Sequence, residues 1–170
     1  MYESVVFHAR YQIKKMDPDA NAIIISLTQP GDPVSFATGW RDVLPLEFDD
    51  ICEEVFGLPE GAIPAEQEYY THEFGAPTYR MAFYRPPAAI HAKAIRSFLA
   101  RHEGGDMVRV IVHCDQGKSR SAAVAQFVSE QYGVPILNAD LIKQGRVSMS
   151  DTSWANPRLL RLLRQASLEN

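Results

Sequence analysis

Cysteine is scarce in this chain, with two among 170 residues, Cys52 and Cys114. Two are too few for a disulfide framework, so a packed core must hold the fold. No apolar run approaches the length of a membrane-spanning helix, and residues 1–5 lack the basic start and apolar stretch of a secretory signal. A cytoplasmic protein without membrane attachment is expected. Neither sign of charge dominates: 17 Lys and Arg face 21 Asp and Glu, a formal net charge of −4. That balance excludes a general attraction for nucleic acid or for an acidic membrane. The five histidines and two cysteines show no metal-ligand spacing. Repeats and low-complexity segments are absent as well.

What is present is ordinary for a globular domain, 46% hydrophobic and 22% charged residues, and the length suits one domain over residues 1–170. Residues 4–10 read as a strand, 11–16 as a short helix and 22–28 as a second strand closed by a Pro-Gly turn. Residues 43–48 form a third extended segment, and Pro45 restricts it to a sheet edge or to a partial strand. From 55 to 86 the pattern lapses. Prolines and glycines interrupt it, with Tyr69, Tyr70, Phe74, Tyr79, Phe83 and Tyr84 interleaved. A stretch this aromatic is not a flexible linker. It reads as an ordered insertion, either a lid or wall beside a site or a loop packing its rings on the domain surface.

Residues 87–102 carry the clearest helical pattern, with Ile90, Ile95, Phe98 and Leu99 largely on one face, and Gly104-Gly105 ends it. His91 and His102 on this helix read as packing or surface residues. A further short helix is expected at 139–143. The last begins at Asn156-Pro157, where Arg158, Arg161 and Arg164 alternate with leucines and read as a solvated face. Alternating strands and helices predict an α/β fold in three layers, a mostly parallel central sheet flanked by helices on both faces.

The chemistry concentrates in residues 107–128. Met107, Val108, Val110, Ile111 and Val112 are apolar and mostly β-branched, as in a buried strand. Beyond Ser119, small helix-tolerant residues follow, and Val124, Phe127 and Val128 share a helix face. A tight loop centred on Gly117 joins strand to helix. Cys114 ends the strand and Arg120 opens the helix. Backbone N–H groups of such a loop, with those of the helix start, converge on an anion, and the field favours a dianion. Arg120 adds a planar fork for two phosphate oxygens. The same positive field is expected to stabilise Cys114 as thiolate. A nucleophilic thiolate beneath a bound phosphate is a phosphoryl-transfer site. The site is expected at the carboxyl end of its strand, where open α/β sheets place ligands.

His113-Cys114, five residues, then Arg120-Ser121 resembles the signature of the cysteine-dependent protein tyrosine phosphatases. Gly117-Lys118-Ser119-Arg120-Ser121 resembles its dual-specificity branch. The resemblance covers residues 40–52 and 86–132. It implies a phosphatase-type fold and metal-independent hydrolysis of a phosphate monoester through a phosphocysteine, with no cofactor. The substrate class implied is a phosphorylated protein or a small phosphate monoester. Within the family, Asp115, Gln116, Gly117, Lys118 and Ser119 supply backbone donors to phosphate. Ser121 hydrogen-bonds the sulfur, and His113 braces the loop.

The family also uses an aspartate upstream of the cysteine to protonate the leaving oxygen, help typically worth ~10²–10⁴ in rate. Phe48-Asp49-Asp50-Ile51 resembles that loop, as found in a bacterial or phage-type branch, and points to Asp50 ahead of Asp49. Asp50 and Cys114 lie 114 − 50 = 64 residues apart, longer than the dual-specificity pattern, because of the 55–86 stretch. An acid within that stretch, Glu66, Glu68 or Glu73, is the other option. Lys118 is similar to a lysine of the lipid-phosphatase branch, whereas Ser119 and Ser121 favour the protein-phosphatase branch. Phosphoinositides, nucleotides and RNA 5′ ends are the alternative substrates. A phosphate-binding module without turnover is the reading from another class. A reversible Cys52–Cys114 disulfide is a further option.

Overall fold

The structure, a computed structural model, describes residues 1–74, 80–138 and 152–165. Its centre is a five-stranded sheet built from β1 (Tyr2–Ala9), β2 (Ala22–Thr28), β3 (Asp42–Glu47), β6 (Val108–Cys114) and β7 (Ile136–Asn138). The order is β3-β2-β6-β1-β7, and every pairing is parallel. Residues of β2 are buried along its whole length. That is the reason it reads as a continuous apolar run rather than an alternating one. Among the described residues β3 lies at the edge, paired to β2 alone, which is where Pro45 can sit without leaving a neighbouring carbonyl unbonded.

Alternate side chains of the strands feed two cores. Val5, Phe7, Ile23, Ile25, Val110 and Val112 join α2 (Ala89–Ala100), α3 (Arg120–Tyr132) and α4 (Pro157–Gln165) on one face. Ile24 and Ile111 meet Ile13 of the short α1 (Arg10–Ile13), with Phe36, Trp40 and Val43, on the other. The fold is therefore α/β, a parallel sheet between helical layers of unequal thickness. α3 stops where Gly133 turns left-handed, φ +65°.

Three expectations need correction or extension. Ile90 is exposed at 56%, and the buried face of α2 is His91, Ala92, Ile95, Phe98 and Leu99. His91 takes the inward place because its Nδ1 accepts the Ala88 N–H at 3.0 Å and its ring lies on Phe48, centroids 4.7 Å apart. Arg158 is fully buried rather than solvated. Its guanidinium donates to Glu53 Oε1 at 2.8 Å and to the carbonyls of Pro87, Ile63 and Pro64 at 2.7–2.9 Å. A cation so fully partnered tolerates burial.

The 55–86 stretch is built on an antiparallel pair, β4 (Tyr70–Phe74) and β5 (Arg80–Tyr84), preceded by a 3₁₀ turn at Glu53–Phe56. Rings of Tyr70, His72 and Tyr84 pack on Phe56, while Tyr69, Met81 and Phe83 face outward. The helix expected at 139–143 lies outside the described residues. Among the described residues no helix is long and apolar enough to cross a membrane.

Candidate active site

β6 delivers Cys114 to the carboxyl edge of the sheet, and α3 starts six residues later at Arg120. The connecting loop folds back on β1. Arg10 N–H donates to Asp115 O at 3.2 Å, and Gly117 lies against the end of the same strand. A Cβ on Gly117 would stand 2.4 Å from Ala9 N and 2.6 Å from His8 C, at a φ of +68°. Backbone cannot yield there as a flexible side chain would, so both the space and the dihedral demand glycine. Among the described residues, no acceptor takes the backbone N–H groups of Gln116, Gly117, Lys118 or Ser119. These are the donors that an anion would recruit.

Cys114 is 2% exposed, and its Sγ lies 3.1 Å from Ser121 Oγ in the first turn of α3. Arg120 is equally buried. One Nη1 hydrogen goes to Phe48 O at 2.5 Å and one Nη2 hydrogen to Asp115 Oδ2 at 2.5 Å. Nε, buried, has no partner among the described residues. Of the five donors of a guanidinium two are used, and the three left over, Nε–H and one hydrogen on each Nη, can meet phosphate oxygens. Asp115 is itself held by Arg10 Nη1 at 3.3 Å, so the carboxylate that orients Arg120 is anchored from its far side.

His113 is fully buried, with Nε2 2.7 Å from Ser26 Oγ on the neighbouring strand. Burial pushes its pKa down to about 4, the nearby Asp115 opposing, so the ring is neutral around pH 7. It braces β6 against β2 beneath the loop. Lys118 and Gln116 are exposed at the loop's rim.

The loop after β3 comes to the same place. Asp50 Oδ1 accepts the Ser119 hydroxyl at 2.7 Å and Asn156 Nδ2 at 2.8 Å. Asp49 faces away from it. Its Oδ2 accepts the Arg85 N–H and its own N–H donates to Arg85 O, both at 2.7 Å, tying the loop to the end of the β4–β5 pair. The base of the β4–β5 pair is therefore bonded to the residue next to Asp50. Glu68 pairs with Arg85 at 3.6 Å, and Glu66 and Glu73 point to solvent. Of the acids weighed from the sequence, Asp50 is the one bonded to the Cys114–Arg120 loop.

Sequence reasoning missed three participants. The Asp115 carboxylate and the Phe48 carbonyl aim the guanidinium, and Asn156 reaches Asp50 from α4. An Asn-Pro pair signals a helix start, and nothing in it signals contact with a residue 106 positions away. Cys52 and Cys114 are both free thiols. Burial pushes the Cys52 thiol pKa up, which disfavours the thiolate that disulfide exchange requires. Among the described residues no group of three His, Cys, Asp or Glu is placed to hold a metal ion.

Compared with models of protein families, with curated proteins and with solved structures, the chain finds no match.

Proposed function

We propose that this chain is a metal-independent phosphate-monoester hydrolase of the protein tyrosine or dual-specificity phosphatase type. The reading is supported above all by one convergence. The Cys114 sulfur, the Arg120 guanidinium, whose Nε has no partner among the described residues, and the Asp50 carboxyl are all bonded to, or part of, a single seven-residue loop.

The chemistry runs in two displacements. Arg120 and the loop N–H groups hold the phosphoryl oxygens, and the Cys114 thiolate attacks phosphorus. An S–P bond forms as the bond to the leaving oxygen breaks, and the Asp50 carboxyl gives that oxygen its proton. Water then attacks the phosphocysteine, Asp50 takes a proton from it, and inorganic phosphate departs. Ser121 Oγ, 3.1 Å from the sulfur, donates to the leaving thiolate. Positioning and charge stabilisation account for most phosphoryl-transfer catalysis, and this arrangement supplies both. A phosphorylated protein or small phosphate monoester is the substrate class, in a cytoplasmic setting that two free thiols suit.

Hydrolysis of p-nitrophenyl phosphate by the full chain, in buffer containing chelator and thiol reductant, tests the reading. Turnover abolished by Cys114→Ser, with vanadate binding retained, is the expected result. Vanadate binding by wild type without any turnover would instead mark a phosphate-binding module.

A further inference from the structure

We infer that Asn156 is a positioning residue for the Asp50 carboxyl, a role that rests on the phosphatase reading above. Asn156 stands immediately before α4, 2% exposed, and every polar group it has is engaged. Its N–H donates to Ser119 O at 3.1 Å, in the phosphate loop. Its Oδ1 accepts the Leu159 N–H at 2.9 Å and so caps α4. Its Nδ2 donates to Asp50 Oδ1 at 2.8 Å and to Ile51 O at 3.3 Å.

The cap decides the orientation of the amide. Leu159 N–H requires an oxygen opposite it, so the side chain cannot flip, and the NH₂ group must face Asp50. A hydroxyl such as that of Ser119 rotates and could donate elsewhere, whereas this amide cannot. One residue therefore locks the acid loop, the phosphate loop and a helix cap into fixed relation.

The arrangement also decides which carboxyl oxygen works. Oδ1 of Asp50 receives two donors, Ser119 Oγ and Asn156 Nδ2. With both hydrogens pointing at it, Oδ1 has no room for a third, and the transferable proton resides on Oδ2. Asn156 thereby presents Oδ2, and not Oδ1, to the leaving oxygen.

The test compares kcat/KM for phenyl phosphate, whose leaving oxygen needs a proton, with that for dinitrophenyl phosphate, whose leaving group departs as an anion. Asn156→Ser keeps a helix cap but is too short and lacks the NH₂ donor. Asn156→Asp keeps the cap and replaces the donor with a repelling carboxylate. The expected result is a phenyl-to-dinitrophenyl ratio lowered about tenfold in Asn156→Ser and about a hundredfold in Asn156→Asp, within the ~10²–10⁴ a general acid supplies. Thermal midpoints should fall in both variants, further in Asn156→Asp, and the ratio is read at a temperature where each remains folded. In an Asp50→Asn background, Asn156→Ser should leave the ratio unchanged. A folded Asn156→Ser protein that keeps the wild-type ratio, or that slows both substrates equally, overturns the inference. A wild-type chain that hydrolyses neither substrate sinks the phosphatase reading itself, and an Asp50→Asn protein with the wild-type ratio sinks the assignment of the acid.

Discussion

Asp50 Oδ1 accepts the hydroxyl of Ser119 at 2.7 Å, a bond between residues 69 positions apart in the chain. It joins the loop after β3 to the loop after β6. In a parallel sheet both loops emerge at the same edge, so two segments distant in sequence share one end of the fold. Arg120 reinforces the junction by donating to the carbonyl of Phe48, two residues before Asp50.

Asp50→Asn should slow phenyl phosphate hydrolysis by about 10²–10⁴ and abolish the basic limb of the pH–rate profile. Asp49→Asn keeps an acceptor for the Arg85 N–H and should change the rate less than about threefold. A profile unaltered by Asp50→Asn is the outcome that removes this residue from the mechanism.

Arg120→Lys retains charge and loses the planar fork. A lysine cannot hold Phe48 O, Asp115 and two phosphate oxygens in one plane. Vanadate affinity and kcat should each fall at least about a hundredfold, measured by titration and by p-nitrophenyl phosphate turnover.

Gly117→Ala forces a Cβ to within 2.4 Å of Ala9 N at a positive φ. Urea unfolding should show a loss of roughly 2–4 kcal/mol, with turnover impaired in the protein that remains folded. Gly57→Ala, also at positive φ but with open space around it, is the control and should cost about 1 kcal/mol.

Acidification should destabilise the fold well before its carboxylates titrate. Burial pushes the pKa of His113 and of His91 down to about 4, so both rings fold neutral. In the unfolded chain they titrate near 6.5, and between these values the unfolded state binds more protons. Their contribution is full above about pH 6.5 and is lost as pH falls toward 4, at roughly 3 kcal/mol per ring. At lower pH Glu53 adds to the loss. Its burial opposes ionisation, yet its own backbone N–H with Arg161 and Arg158 holds its pKa below the usual carboxylate value. Urea unfolding free energies at pH 7 and pH 5 check this. Equal values at the two would refute it.

Removing one partner of the buried Glu53–Arg158 pair should be costly. Glu53→Gln leaves a guanidinium in the core with carbonyls but no countercharge, and a loss of about 3–5 kcal/mol is expected from urea titration.

Legibility in the sequence followed locality. The extent of β2 and the start and buried face of α3 were readable, since a run of β-branched residues and helical apolar spacing are local signals. The β4–β5 pair was not, because its strands are only five residues each and lie within a stretch whose flanking prolines and glycines break any longer pattern. Arg158 misled because arginine among leucines is ordinarily the wet face of a helix. Here Glu53 and three carbonyls, all distant in sequence, made the inward place favourable. The candidate site divided in the same way. Cys114, Gly117, Arg120 and Ser121 sit in one contiguous stretch whose residue types state their own geometry.

By itself the chain's order of residues determined the strands of the central sheet, the helices α2 and α3, and the tight glycine turn between β6 and α3. Those follow from backbone preference and apolar spacing over a few residues. Only the tertiary structure placed Asp50, and not Asp49, against the Cys114–Arg120 loop, aimed Arg120 through Asp115 and Phe48, and brought Asn156 to Asp50. Each of those outcomes is a hydrogen bond whose partners meet only once the sheet edge and α4 have packed, and no local pattern encodes which distant atom will be there to accept it.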